Sequence, residues 1–296
     1  MVKARDSLSF RHFKASLRKL GVIPQHSLKG GSLPLYDIYE DTFAVVRATT
    51  PELKEAAHRL RYQVYCVEQP FEDPAKNPGG LEIDEYDKRS VHTLLTHRRS
   101  GMLVGNVRLV LPKADDPFFS FPLQKLVSID RLRNPDHVQI SCEISRFCVS
   151  RDFRKRESDG LYTGVFLGKY ANPTSLFTKT HRQRVIPFAP LGLIRAIYEM
   201  MIEQEKIWGY AALEPQLIRL LKKLGIESDL LGPAISYHGN RYPVIMDPLR
   251  IWKSVKKKNP EVWKILTKNG QLVDKMESLV RKYEHDERSH KLHSRK

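Results

Sequence analysis

The sequence has only three cysteines and no long apolar run. Cys66, Cys142 and Cys148 have neither an even count nor metal-ligand spacing, which argues against a disulfide framework or a structural zinc site. No stretch approaches the roughly 20 apolar residues that a membrane-spanning helix needs. The first residues are basic but lack the apolar segment of a secretory signal. We therefore expect a cytoplasmic protein with reduced thiols and no metal.

Acidic residues are also scarce, since 34 Asp and Glu face 50 Lys and Arg and leave a net charge of +16. Such a charge predicts attraction to a polyanion, which is a nucleic acid, an anionic membrane surface or an acidic protein. The hydrophobic content of 41% and the 12 Tyr and 12 Phe indicate a folded protein with a substantial core.

The chain divides by composition into three parts. Residues 1–38 form a basic arm with paired glycines, residues 39–250 form the main domain, and residues 251–296 form a basic helical extension. Within the domain, residues 151–186 lack clear periodicity, which predicts a mobile insertion or lid.

The domain alternates between strand and helix patterns. Thr50-Pro51-Glu52 predicts the start of a helix that runs to Val67, because Thr50 can cap it and Pro51 suits its first turn. The other predicted helices are Pro190–Lys206, Gln216–Leu224 and segments within Leu249–Arg281. The predicted strands are Tyr39–Thr49, Ser90–His97, Met102–Leu111, Gln139–Ser150, Lys206–Leu213, Ile226–Tyr237 and Tyr242–Met246.

The central segment is Gln139–Ser150, which alternates polar and apolar side chains and places Ser141, Glu143 and Ser145 on one face. An ionised Glu143 is costly to bury without a partner. Residues three apart point to opposite faces of a regular strand, so Glu143 and Arg146 serve one cleft only if the strand carries a bulge between them. The segment is either an active-site strand or a sheet edge with a surface salt bridge.

Further candidate residues lie on the neighbouring elements. Arg61 and Tyr65 are one helical turn apart, and Arg108 interrupts an apolar strand, where it is either exposed or held by acids. Phe119 lies in an irregular segment and either lines an apolar cavity or packs in the core. The basic run after the central strand either docks an anionic carrier or merely solubilises a loop; it contains Arg151, Arg154, Lys155 and Arg156.

Four polar motifs together resemble those of the N-acyl amino acid synthases and exosortase (PEP-CTERM) system-associated acyltransferases, relatives of the acyl-homoserine lactone (autoinducer) synthases. In order they are Arg61-Tyr62-Gln63-Val64-Tyr65, Glu82-Ile83-Asp84-Glu85-Tyr86-Asp87, Val104-Gly105-Asn106-Val107-Arg108-Leu109 and Glu143-Ile144-Ser145-Arg146-Phe147. Each motif alone is weak evidence, and four in the right order on the right elements are much stronger. The resemblance covers about residues 43–247 and includes Leu213-Glu214-Pro215 and Tyr237-His238-Gly239.

The resemblance implies an α/β (α+β) fold of the GNAT acyltransferase type, with a mixed, mostly antiparallel, twisted sheet flanked by helices. Two departures matter. The tryptophan that follows the first helix in the lactone synthases has no counterpart, since Glu68-Gln69-Pro70-Phe71 stands there. No glycine-rich pyrophosphate loop follows the central strand, which favours a carrier-protein thioester over free coenzyme A as the acyl donor.

The implied reaction moves a long-chain acyl group from a thioester to the amine of an amino acid or related molecule. Glu143 would be the general base, and a backbone N–H at a strand bulge would stabilise the oxyanion. The resemblance places Glu143, Arg146, Arg61, Asp84 and Arg108 in the catalytic site, with the arginines around the acids. It places Asp87, Tyr65, Phe119, Phe147 and Ser145 at the substrates. The expected partners are acyl carrier protein, the amine and the fatty acyl chain, with no tightly bound cofactor. Contact with a membrane surface stays open.

Three other interpretations remain. A lactone synthase would consume S-adenosylmethionine. A nucleic-acid-binding protein would explain the charge, although the central acidic residues and the lack of a binding motif argue against it. A carrier-binding module without catalysis would bind acyl carrier protein but turn nothing over.

Overall fold

The computed structural model describes residues 34–154 and 189–293. The described helices are α1 Leu35–Thr42, α2 Pro51–Tyr62, α3 Pro122–Leu126, α4 Pro135–Gln139, α5 Arg151–Arg154, α6 Ala189–Glu203, α7 Pro215–Lys223, α8 Pro248–Lys258, α9 Pro260–Thr267 and α10 Gln271–His293. The described strands are β1 Phe43–Arg47, β2 Ser90–His97, β3 Met102–Val110, β4 Ser141–Val149, β5 Trp208–Leu213, β6 Asp229–Leu230, β7 Ile235–Ser236 and β8 Asn240–Met246. Most of the predicted insertion 151–186 lies outside the described residues.

The described residues divide into two compact units. The first unit contains the residues up to Arg108 and the segment Ser145–Ala196, and the second contains Leu109–Ile144 and the residues from Ile197 onward. β3 and β4 each contribute residues to both units.

The first unit has the strand order β1-β2-β3-β4. β1 and β2 are antiparallel, with Phe43 opposite His97. The α2 helix begins as predicted, because the Thr50 hydroxyl accepts a hydrogen bond from the Leu53 amide at 3.3 Å and Pro51 occupies the first turn. Leu53 and Ala57 on its inner face pack with Ala44 and Val46 of β1.

The second unit has the strand order β4-β5-β8-β6, and β7 also pairs with β8. β4 and β5 are parallel, with Ser141 opposite Trp208, and β5 and β8 are antiparallel. The sheet is therefore mixed and mostly antiparallel, as expected from the sequence. The chain also forms the expected helices. The buried rings of Tyr198 and Trp252 pack with centroids 5.0 Å apart.

Several predicted elements have different limits in the structure. The strand expected at Tyr39–Thr49 begins only at Phe43, because Tyr39 lies in α1 and is fully buried there. The helix expected to reach Val67 ends as an α-helix at Tyr62 and continues as a π-helical turn over Gln63–Glu68. The Gln69 amide donates to the carbonyl of Val64, five residues back, at 2.9 Å.

Proline and glycine explain the other differences. The strand expected at Ile226–Tyr237 is reduced to β6 and β7, since Gly232-Pro233 stands between them and proline cannot donate to a sheet. The C-terminal helical segment is three helices, with Pro260 in the first turn of α9 and Gly270, at φ 93°, before α10. No helix in the described part of the chain is both long and apolar enough to cross a membrane.

Candidate active site

Arg61 is the centre of a buried ion network in the first unit. Its side chain is fully buried at the inner face of α2. Its Nη1 and Nη2 donate to the two carboxylate oxygens of Asp87 at 2.6 and 3.0 Å, and its Nε donates to Glu82. This two-point contact uses the planar fork of a guanidinium group and fixes the direction of both acids.

Arg108 and Arg146 complete the network. Arg108 donates through Nη1 to Asp84 at 2.6 Å and to Asp87 at 2.9 Å. Arg146 donates through Nη2 to Glu82 at 2.8 Å and to Glu72 at 3.0 Å. The same nitrogen lies 3.2 Å from an oxygen of Asp84. Three guanidinium groups thus face four carboxylates, so the predicted pairing of the arginines with Asp84 and Asp87 is present in the structure.

The acids are brought together by one short turn. Asp84 caps the 3₁₀ turn Glu85–Arg89, because its carboxylate accepts from the Tyr86 amide at 2.9 Å. Asp87 reaches back and accepts from the Asp84 amide at 2.8 Å. This reciprocal capping box satisfies backbone donors and aims both carboxylates at the arginines.

The arginines keep the acids ionised. Burial raises the pKa of Glu82, but the charge of Arg61 and hydrogen bonds from Arg61 and Arg146 outweigh it and lower the pKa to about 2. The pKa of Asp87 is likewise held well below its usual range: burial opposes this shift, and hydrogen bonds from His92 and Arg61 produce it. Glu82 and Asp87 are therefore ionised at neutral pH.

Two histidines border the network, although no sequence pattern predicts a role for them. His92 Nε2 lies 3.2 Å from Asp87 Oδ1, and the ring of His58 packs edge-on against the ring of His92. Burial, and next the charge of Arg61, lower the pKa of His58 to about 4. Burial also lowers the pKa of His92. Both rings are therefore neutral at pH 7.

His58, Asp87 and His92 are also the group of described residues whose ligand atoms could hold a metal ion, since these atoms lie within 4.8 Å of one another. The chemistry of the donor set argues against it. Asp87 Oδ1 already accepts hydrogen bonds from Arg61, Arg108 and His92, and two adjacent guanidinium groups would repel a cation. We assign the histidines to the ion network.

β4 departs from regular strand geometry at Arg146, which has a φ of 50°. A left-handed conformation at a non-glycine residue inside a strand breaks the alternation of side chains, as the bulge expected between Glu143 and Arg146 would do. The Arg146 carbonyl accepts a hydrogen bond from Asn106 Nδ2, and the Phe147 carbonyl accepts one from the Tyr65 hydroxyl, each at 3.1 Å.

Glu143 lies in the second unit, where its side chain is buried with 5% exposure. Its Oε2 accepts a hydrogen bond from the Leu123 amide at 2.8 Å. The expected place of Glu143 among the arginines stays a prediction, while the ion network itself is completed by Glu82 and Glu72.

The remaining predicted site residues differ in their settings. The Ser145 hydroxyl accepts from Arg108 Nε at 3.0 Å. Phe119 is 62% exposed, so in this structure it does not line a closed cavity. Arg151 is exposed at the start of α5, Arg154 ends that helix, and Lys155 and Arg156 lie outside the described residues.

The three cysteines are buried and unbridged. Burial raises the pKa of the Cys66 and Cys142 thiols, and it raises that of Cys148 to about 12. A thiol must ionise to act as a nucleophile, so these settings disfavour a covalent cysteine intermediate.

Sequence reasoning missed Glu72 and did not single out Glu82. Glu82 was visible as the first residue of the acidic motif, and its burial beside two arginines is what makes it central. Glu72 lies in the loop after the π turn, where no local pattern marks it.

Residues 60–163 match the family model of the GNAT acetyltransferase domain. This segment runs from the end of α2 past β4 and contains the three arginines and the four acids of the network. Over these residues the chain is similar to a GNAT acetyltransferase domain, and this similarity supports an acyltransferase of that type. No curated protein matches the sequence.

The solved structures that resemble the chain include three synthases. A CoA-dependent acyl-homoserine lactone synthase, BjaI, with SAM and isopentyl-CoA, is 20% identical, with 75% of this chain and 89% of that chain covered and a TM-score of 0.46. The N-acyl amino acid synthase FeeM, from uncultured soil microbes, is 12% identical over 73% and 96% of the chains, with a TM-score of 0.47. The AHL synthase LasI is 14% identical over 72% and 95%, with a TM-score of 0.46. The expected link to exosortase systems stays a prediction.

Proposed function

We propose that the protein transfers a long-chain fatty acyl group from a carrier-protein thioester to the amine of an amino acid or a related small molecule. The observation that carries the proposal is the ion network and its partly exposed edge. Asp84 and Glu72 have side-chain exposures of 24% and 28%, and Arg146 between them has 12%. An acceptor with an ammonium and a carboxylate group would find charges of both signs there.

In the proposed reaction the acceptor nitrogen attacks the thioester carbonyl carbon. A C–N bond forms, the C–S bond breaks, and the carrier thiol leaves with a proton. Asp84 binds the ammonium form of the acceptor, and Glu143 takes the proton that the nitrogen must lose before it attacks. A backbone N–H at the Arg146 bulge donates to the oxyanion. No tightly bound cofactor is required.

A carrier protein as donor is supported by the charge of +16 and by the basic run that begins at Arg151. Association of an acidic carrier with a basic surface is weakened by salt. Free coenzyme A is the other thioester that the domain type accommodates, and the two donors are separate arms of the test.

The test is mass spectrometry of the purified protein incubated with long-chain acyl carrier protein, or acyl-CoA, and a pool of amino acids. We expect a new N-acyl product and free thiol. Glu143→Gln retains an oxygen for the Leu123 amide but cannot take the proton, so the rate should fall by about 10²–10⁴-fold. Glu261→Gln, at a carboxylate paired with Lys264 on α9, is the matched control and should leave the rate unchanged.

Three outcomes would contradict the proposal. Absence of acyl transfer from either thioester would argue for a carrier-binding module. A product formed only with S-adenosylmethionine would indicate a lactone synthase. Full activity of Glu143→Gln would remove Glu143 as the base.

A further inference from the structure

Three consecutive residues of β4 are each held by a side chain from another element. Ser145 Oγ accepts from Arg108, the Arg146 carbonyl from Asn106 and the Phe147 carbonyl from Tyr65. We propose that Asn106 and Tyr65 are positioning residues that fix the β4 bulge for catalysis. The inference rests on the proposed acyl transfer and goes beyond it in naming what orients the oxyanion donor.

The planarity of the peptide bond connects these contacts to the chemistry. In a trans peptide the C=O of one residue and the N–H of the next lie in one plane and point in opposite directions. The bond from Asn106 to the Arg146 carbonyl therefore sets the direction of the Phe147 N–H. The bond from Tyr65 to the Phe147 carbonyl sets that of the Cys148 N–H.

The conformation at Arg146 needs such support. A non-glycine residue at φ 50° is strained and persists only where its surroundings over-determine it. The side chain of Arg146 is held by Glu82 and Glu72, and the two carbonyl bonds hold the backbone that follows.

Asn106 is fully buried on β3, and its Oδ1 has no hydrogen-bond partner among the described residues. A buried acceptor without a partner is destabilising, so this residue is a poor choice for stability alone. Its Nδ2 donates a hydrogen bond to the Arg146 carbonyl. The preceding Gly105 lets the strands approach, because a Cβ there would lie 2.5 Å from the Cys148 carbonyl oxygen.

Tyr65 comes from the π turn, and its hydroxyl is the group that donates to the Phe147 carbonyl. The Tyr65 carbonyl accepts from the amides of Phe71 and Glu72 at 2.9 and 3.0 Å, which holds the start of the loop that carries Glu72. The guanidinium carbon of Arg146 lies 5.5 Å from the centre of the Tyr65 ring. Tyr65 thus links the bulge, the network and the loop.

The experiment compares Tyr65→Phe and Asn106→Ala with the parent. Tyr39→Phe is the matched control, because the Tyr39 hydroxyl is also buried and donates to a backbone carbonyl, that of Ala189, at 2.9 Å. We expect kcat to fall by about 10-fold in Tyr65→Phe and about 100-fold in Asn106→Ala, with the acceptor KM within about threefold. The double variant should lose less than the product of the two effects, since both side chains hold one peptide segment.

A second readout does not depend on turnover. Hydrogen exchange of the segment 145–150, followed by mass spectrometry, should be faster in both variants than in the parent and unchanged in Tyr39→Phe. Unchanged exchange overturns the inference, and so does a kcat within twofold of the parent or a rise in acceptor KM alone. If the parent shows no acyl transfer, the proposed function fails, and exchange alone decides whether Tyr65 and Asn106 hold the bulge.

Discussion

Replacement of Arg61 by methionine is the sharpest test of the ion network. Methionine fills similar apolar volume but leaves Glu82 and Asp87 buried with one guanidinium group fewer. Removal of one partner from a buried ion pair costs about 3–5 kcal/mol. Glu82 would retain Arg146, and Asp87 would retain Arg108 and His92, so we expect a loss near the lower limit, about 3 kcal/mol in the free energy of unfolding.

The assay is urea unfolding at pH 7.5, repeated at lower pH. Arg59→Met on the same helix is the control, since Arg59 is 46% exposed and pairs with Glu55 at the surface, where such a pair contributes about 0–1 kcal/mol. The loss in Arg61→Met should shrink below about pH 4.5, because protonated acids no longer need the guanidinium group. A loss below about 1 kcal/mol, or one equal to that of Arg59→Met, would refute the reasoning.

Two further predictions concern the surroundings of the network. Gly105→Ala should lower both stability and acyl transfer, because the added Cβ would lie 2.5 Å from the Cys148 carbonyl oxygen. Gly232→Ala is the control and should change neither, because its Cβ would meet nothing closer than 3.9 Å. Thermal melts and the transfer assay check both expectations. The pKa of His58 is lowered to about 4, so the unfolded chain takes up the proton first and the stability from this group is lost as the pH falls from about 6.5 to 4. In His58→Phe, the free energy of unfolding should therefore depend less steeply on pH between pH 6.5 and 5. An unchanged slope would contradict the lowered pKa of His58. The Glu82 contribution is present above about pH 4.5 and is lost only as the pH falls toward 2, so the two windows can be separated.

The local signals that the sequence carries were sufficient for much of the fold. Thr50-Pro51 predicted the start of α2, and β2 at Ser90–His97 was predicted with its observed limits. These signals are short-range, because a cap or an alternating pattern acts through neighbours in the chain. The π turn after Tyr62 was not predicted, since an apolar stripe looks the same whether the helix hydrogen bonds span four residues or five.

The site was predicted in part for a similar reason. The motifs placed Arg61, Asp84, Asp87 and Arg108 together, and the structure contains these pairs. Glu72 contacts an arginine 74 residues further along the chain, a distance at which sequence patterns carry no information. For the central strand, the sequence predicted only that Glu143 and Arg146 could face one cleft if a bulge lay between them. It did not predict the positive φ of Arg146.

The acidic turn also has a consequence for the order in which the chain folds. Glu82, Asp84, Glu85 and Asp87 place four like charges within six residues, and these charges repel one another in an unfolded chain. The cations that neutralise the turn come from 21, 24 and 64 residues away. We therefore expect the turn to become ordered late in folding, after β4 has brought Arg146 to it. Added salt screens the repulsion among the acids, so it should favour the early stages of folding. It also screens the attraction between the acids and the arginines, so it should weaken the step in which the turn becomes ordered.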